Sequence, residues 1–424
     1  MKKLLVLILA TVMAVTAFGL TACGGNNDKK GGTKGEGSLY VYDLSNPADV
    51  EITIDGKPDS IYEVRIGSSL ITTDHYSYSG GKLTISKDKL GKSSASPNKQ
   101  IKVIVEKDGE PIVYRLIIAT KVITTCTAFQ GISDNLKGTY VLGADLDFEE
   151  FGNFNPIGND AQKHGDKIGL AFTGSLIGAG HTISNLTANA DEMTDDEVYT
   201  EHDVYVDDKN RPQTVRSCFG IFMRNEGTIE DICFKDCTVK NSAGTIMGLV
   251  VAVNEGLIKN VFVDGGKVQG GSIWLDYNCF NAGFAGINGG SGKIENCVST
   301  VTEIKGGEGL VRAFCGKTWG EIKNCYACKE DDMKLKELAT GSINDQGIIG
   351  SDSKKELSDA TGYGFTYLAT ESGITMGSFD GCLATDDESL KQASLYKDYD
   401  KNVWNISENS SDLPTLKVLY SVSK

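Results

Sequence analysis

Gly227-Thr-Ile-Glu-Asp-Ile-Cys-Phe234, Gly256-Leu-Ile-Lys-Asn-Val-Phe-Val263, Gly292-Lys-Ile-Glu-Asn-Cys-Val-Ser299 and Gly320-Glu-Ile-Lys-Asn-Cys-Tyr-Ala327 are four versions of one octapeptide. The template is Gly-x-Ile-charged-Asn/Asp-apolar, and its starts lie 29, 36 and 28 residues apart. Gly180-His-Thr-Ile-Ser-Asn-Leu186 reads as a weaker fifth copy ahead of them. A leader precedes each main copy: Phe219-Gly-Ile-Phe222, Gly248-Leu-Val-Val251, Gly283-Phe-Ala-Gly286 and Gly309-Leu-Val-Arg312. Polar turns such as Asn225-Glu226-Gly227 and Asn254-Glu255-Gly256 join leader to octapeptide.

Two short strands and their turns bury no core alone, but stacked copies make a continuous one. Stacking turns each template position into a column. Ile229, Ile258, Ile294 and Ile322 are expected inside, as are Ile232, Val261, Cys297 and Cys325. Asp231, Asn260, Asn296 and Asn324 should meet at a bend, where amides on successive rungs hydrogen-bond as a ladder. Glu230, Lys259, Glu295 and Lys323 alternate in sign. At ~4.8 Å between rungs, opposite charges become neighbours. The expected fold is all-β, a parallel β-helix over 125–424.

Ahead of the repeat, residues 38–124 read as short alternating strands. Ser38-Leu-Tyr-Val-Tyr42, Val50–Ile54, Lys82–Ile85, Ile101–Val105 and Ile112–Ile118 are separated by the turn pairs Asp55-Gly56, Gly80-Gly81 and Asp108-Gly109. This spacing predicts a small β-sandwich. The stretch from Ile66 through Ser86 resembles Ig-like accessory modules of bacterial carbohydrate-active proteins.

The chain opens with Lys2 and Lys3, then an uncharged apolar run from Leu4 to Leu20, then Leu20-Thr21-Ala22-Cys23. This order fits a signal peptide better than a spanning helix. The last four residues resemble the lipobox of bacterial lipoproteins. That resemblance implies cleavage after Ala22, a diacylglyceryl group on Cys23, and the membrane as a partner through that anchor. Residues 1–22 are then the signal. Residues 23–37, rich in Gly, Asn and Lys, form a flexible tether. Two acyl chains give stable anchoring where one is marginal.

Fifty Gly against 7 Pro and 40% apolar residues describe a folded, turn-rich chain of 424 residues. Net charge is −15, which argues against nucleic acid and anionic lipid surfaces as partners. Eleven Cys are present. One is Cys23; for the other ten, buried thiols and disulfides are both open readings. Cys325-x-x-Cys328 is too isolated for a zinc site, and i and i+3 on a strand face opposite sides.

Tyr140-Val-Leu-Gly-Ala-Asp-Leu-Asp147, Asn155-Pro-Ile-Gly158 and Phe172-Thr-Gly-Ser-Leu-Ile-Gly-Ala-Gly-His-Thr-Ile183 resemble the entry of GLUG-motif β-helix proteins, a family of bacterial surface proteins and adhesins. Tyr399–Ile406 with Leu413-Pro-Thr-Leu416 resembles the family's closing coil. The likeness covers most of 126–328 and 395–419; residues 329–394 match the family poorly. It implies a right-handed solenoid, by the family and the crossover rule, used for adhesion, glycan binding or scaffolding at the outer face of the membrane.

Some members carry a zinc peptidase, which needs His-Glu-x-x-His. The four histidines here, His75, His164, His181 and His202, lack that context. No metal or other cofactor is expected, and His181 reads as a turn residue. A carbohydrate-active enzyme on the same scaffold is the alternative, with Asp145, Asp147, Glu149 and Glu150 as its nearest acids. A spacer without ligand is a third reading. The nine acids between Asp191 and Asp208 read as a solvated loop rather than a calcium site. The longest repeat holds Gly270-Gly-Ser-Ile-Trp-Leu-Asp-Tyr-Asn-Cys-Phe280. Insertions map to the flank of a solenoid. Here Trp274 would stack on a sugar face while Asp276, Tyr277 and Asn278 take its hydroxyls; inward packing of Trp274 and Phe280 is the competing reading.

Overall fold

The computed structural model describes residues 39–159, 170–193, 205–206, 212–213, 217–242, 244–270, 280–305, 310–328, 378–380, 382–385, 387–408 and 412–422. The chain is all-β with a few one-turn helices, and residues 34–424 form one compact unit.

The N-terminal part has two sheets. Leu39–Asp43, Ile112–Ala119, Ser96–Ile104, Glu63–Ile66 and Ser69–Ile71 make the first. Val50–Thr53, Lys82–Ile85 and Tyr76–Ser79 make the second. Tyr42, Ile52, Val64, Leu83, Ile101, Tyr114 and Leu116 fill the core they share. Gly80 and Gly81 both have positive φ (58° and 84°), which a two-residue hairpin turn demands. Only Thr120 separates the last strand, Ile112–Ala119, from Lys121–Ile123, which already belongs to the repeat.

In the repeat every rung pairs in parallel with the next. The longest ladder runs through Lys121–Ile123, Thr139–Leu142, Ser175–Ile177, Thr228–Lys235, Leu257–Asp264, Lys293–Glu295, Glu321–Lys323 and Ser378–Asp380. A second ladder takes Phe222–Asn225, Val251–Asn254, Ala285–Asn288 and Cys315–Thr318. Two shorter ones take Gly244–Gly248 with Phe280–Ala282, and Thr238–Asn241 with Lys267–Gly270. All four sheets are open.

The expected inner column stands as read. Ile229, Ile258, Ile294 and Ile322 pair rung to rung, and each is fully buried. The bend residues Asp231, Asn260, Asn296 and Asn324 have φ of 57°, 53°, 54° and 51°, a left-handed conformation that Asn and Asp tolerate best. Their side chains bond upward: Asn260 Nδ2 donates to Asp231 Oδ1 at 2.8 Å, and Asn324 Nδ2 to Asn296 Oδ1 at 3.2 Å.

The template glycine has a different reason. A Cβ on Gly174, Gly227, Gly256 or Gly320 would stand 2.1, 2.1, 2.2 and 2.1 Å from the carbonyl oxygen of the glycine one rung earlier. That oxygen accepts the next rung's backbone N–H, as Gly227 O does from Leu257 N at 2.8 Å.

Three alignments differ from expectation. Gly180–Leu186 is not the fifth copy, because Ile183 pairs with Phe234, one strand later in the rung. Ser175–Ile177, after Gly174, pairs with Thr228–Glu230 instead. The third leader is Ala282-Gly-Phe-Ala285, since Gly248 pairs with Ala282 and Val251 with Ala285, and the fourth is Arg312-Ala-Phe-Cys315, since Ala282 pairs with Arg312 and Ala285 with Cys315. At this corner Phe314 stacks on Phe284 at 4.6 Å.

The outward column records where the N-terminal sheets dock. It reads Val122, Val141, Ile177, then Glu230, Lys259, Glu295, Lys323. The three apolar members join Leu39, Ile117 and Ala119 in one buried cluster. At the border Arg115 pairs with Glu230 and approaches Asp231 at 3.8 Å. Ile258→Asp should therefore unfold the repeat, placing a carboxylate between two apolar rungs. Lys259→Ser, one residue on, should change stability by no more than about 0.5 kcal/mol. Equal thermal melts of the two variants would contradict this inward and outward assignment.

Candidate functional site

Two columns of polar side chains in the repeats bond to one another from rung to rung. Asn225, Asn254, Asn288 and Thr318, all buried, form a second ladder with Nδ2 donating to the next rung at 2.8, 2.8 and 3.0 Å. Asn225 and Asn254 also accept from the N–H of the glycine two residues on. The sequence carried this signal as Asn-x-Gly, which reads there only as a turn.

The bend ladder ends on a buried acid. Burial first, and then the neighbouring Glu230, raise the Asp231 carboxyl to about 7, against the pull of Asn260 and Arg115. The native state thus keeps a proton that the unfolded chain sheds near pH 4, so rising pH erodes stability between about 4 and 7. Asp231→Asn keeps the acceptor for Asn260 and removes this slope. Its melting temperature should equal or exceed wild type at pH 8, with the advantage shrinking toward pH 5. A deficit of the same size at both pH values would mean that the Arg115 contact dominates.

One constellation has catalytic residue types. His181 Nδ1 lies 2.9 Å from Asp145 Oδ1, and Nε2 lies 3.3 Å from Ser421 Oγ. The same Nε2 sits 2.7 Å from the Tyr420 carbonyl oxygen. A carbonyl only accepts, so Nε2 donates there and has no lone pair to take a serine proton. Asp145 also accepts from Thr182 N at 2.9 Å. The arrangement is a clasp between the first rungs and the C-terminal segment. Asp147 is likewise structural: its carboxyl accepts from Asn185 Nδ2 and Glu149 N, bonds that hold it below the usual carboxylate range. Asp191 accepts from Ser242 N at 2.8 Å and pairs with Lys240 at 3.2 Å.

The C-terminal segment, expected as a closing coil, runs back along the bend edge. Tyr399 Oη donates to Asn324 O at 2.8 Å, Trp404 Nε1 to Asn260 Oδ1 at 3.2 Å, Leu419 N to Ala179 O at 2.8 Å and Val422 N to Gly143 O at 2.9 Å. Two clefts border this strap. One, of about 600 Å³, is lined by Lys401, Asn405, Ser407, Asp412, Thr415 and Lys417 among others. The other, of about 340 Å³, lies between Leu39–Asp43 and Tyr420–Val422.

Cys23 and the four ligand candidates Trp274, Asp276, Tyr277 and Asn278 lie outside the described residues. Phe280, at the end of that insertion, is buried, with Lys317 Nζ 5.0 Å from its ring centroid. The nine described cysteines carry thiols, and Cys325 and Cys328 are both buried. Among the described residues no cluster of His, Cys, Asp or Glu is placed to hold a metal ion, and no helix is long and apolar enough to cross a membrane.

No protein-family description matches the chain, and no curated protein does. A solved structure of an IgA1 protease is similar at 13% identity and a TM-score of 0.31, covering 68% of this chain. This chain spans 22% of that protein's length.

Proposed function

We propose that this chain is a lipid-anchored bacterial surface protein of the GLUG-motif type. Its repeat is a right-handed parallel β-helix, and its N-terminal sheets are an Ig-like module. Four parallel ladders sharing one buried column support the solenoid reading; handedness follows the crossover rule. The anchor reading rests on Leu20-Thr-Ala-Cys23. Cys23→Ala should move the protein from the membrane fraction to the medium or to an unprocessed precursor. Unchanged processing and membrane retention would remove the lipobox from the argument.

Its role is binding or scaffolding at the cell surface, with an extracellular glycan or a neighbouring cell surface as partner. One observation carries this over catalysis: the ladder residues Asn225, Asn254, Asn260 and Asp231 and the pair His181 and Asp145 are engaged in rung-to-rung or clasp bonds. A stack that commits its polar groups to its own register offers its flanks and loops for recognition. Trp274, Asp276, Tyr277 and Asn278 are the proposed contact set.

A glycan array with the soluble 38–424 fragment, run beside a reducing-sugar release assay, tests the role. Binding without sugar release is expected, and Trp274→Ala should abolish it while leaving the melting temperature nearly unchanged. Sugar release would transfer the protein to the enzymes. A Trp274→Ala loss of several kcal/mol in stability would make that indole a packing residue.

A further inference from the structure

Three thiols stand one above another at the far end of the stack. Cys297, Cys325 and Cys382 each occupy the position one residue before an aligned strand pair: Val298 pairs with Tyr326, and Tyr326 with Leu383. In-register neighbours on adjacent parallel rungs lie ~4.8 Å apart, inside the Cα separation of ~4.4–6.8 Å that disulfides span. The Cys325 thiol is within hydrogen-bonding reach of both neighbouring thiols. Each sulfur also points at a backbone carbonyl of the stack: Cys325 at Lys323 O, 3.3 Å, and Cys382 at Ile322 O, 3.7 Å.

We propose that Cys325 and Cys382 form an oxidation-dependent cross-link that staples the last described rung to the one before it. The choice of pair follows from access and topology. Cys297 and Cys325 are fully buried, and Tyr399 Oη reaches the Cys297 carbonyl at 3.3 Å, closing that side. Cys382 is only half-buried. Exchange therefore begins at Cys382. Its thiolate attacks one sulfur of a small-molecule disulfide and releases one thiol, leaving a mixed disulfide. Cys325 then attacks Cys382 Sγ, expels the second thiol and completes the protein disulfide. Two protein thiols are oxidised, one external disulfide is reduced to two thiols, and the two protons leave with them.

Burial holds the Cys325 thiol well above its usual range. The second step thus needs the last rung to open briefly, so oxidation is slow and the bond, once made, is shielded. Cys325 and Cys382 are 57 residues apart in sequence. Closing this loop removes somewhat more unfolded-state freedom than closing the 28-residue loop between Cys297 and Cys325 would.

The test incubates the full chain with graded oxidised glutathione and maps peptides without reduction. The expected product is a Cys325–Cys382 linked peptide, a melting temperature several degrees higher, and reversal of both by dithiothreitol. Cys382→Ser should lose the link and the thermal shift, whereas Cys328→Ser should keep both. If only a glutathione adduct on Cys382 appears, if Cys297–Cys325 is the dominant link, or if all three remain thiols, the proposal is overturned. The wild-type map decides this even if a variant misfolds.

Discussion

Close approach of backbone to backbone at the template glycine governs the rest of this structure. Each rung's glycine carbonyl accepts the N–H of the residue after the next rung's glycine, and at Gly174, Gly227, Gly256 and Gly320 that oxygen takes the space where a Cβ would sit. Successive rungs are therefore locked in register at one point. Everything that depends on register follows: the isoleucine column, the bend amides and the alternating outward charges. A slip of one residue would present Glu230 and Lys259 to the core and Ile229 and Ile258 to the outside.

Register also makes the buried amides affordable. An unpaired buried amide is costly, but a ladder in which each Nδ2 donates to the next Oδ1 satisfies its members in turn. The ladders still need ends. On the bend side the first member is Asp231, an acid rather than an amide, and it meets Arg115 from the N-terminal sheets. On the same side the strap supplies Trp404 to Asn260 and Tyr399 to Asn324. The segment that could have added one more rung instead runs back along the stack's edge to the first rungs.

The outward column shows how one sheet serves two environments. Val122, Val141 and Ile177 face the N-terminal sheets, and the apolar run ends at Glu230 where that cover ends. The alternating charges beyond it are exposed or half-exposed and sit opposite one another in register without forming ion pairs among themselves, so they add little to stability. They act on register, disfavouring like-charge neighbours.

The repeat and its columns were legible in the sequence because stacking copies the same environment once per rung, so residue type recurs wherever burial recurs. Ile258 and Asn260 could be assigned from their neighbours in the template alone. The entry rungs were harder: the resemblance to the template at Gly180–Leu186 pointed to the wrong strand, since Gly-x-x-Ile-x-Asn also fits the second bend, and only pairing of Ile183 with Phe234 separates the two. His181 was legible as a turn residue, but not that its partners are Asp145 and the carbonyl of Tyr420, 239 residues away. The sequence by itself determined what repeats: the apolar columns, the bend amides and the parallel stack. Only the tertiary structure decided what occurs once: the docking of Arg115 on Glu230, the course of the strap, and the meeting of Cys325 with Cys382. Periodicity is a local constraint that each rung writes into the chain, whereas a single long-range contact is chosen by the packing of the whole and leaves no periodic trace.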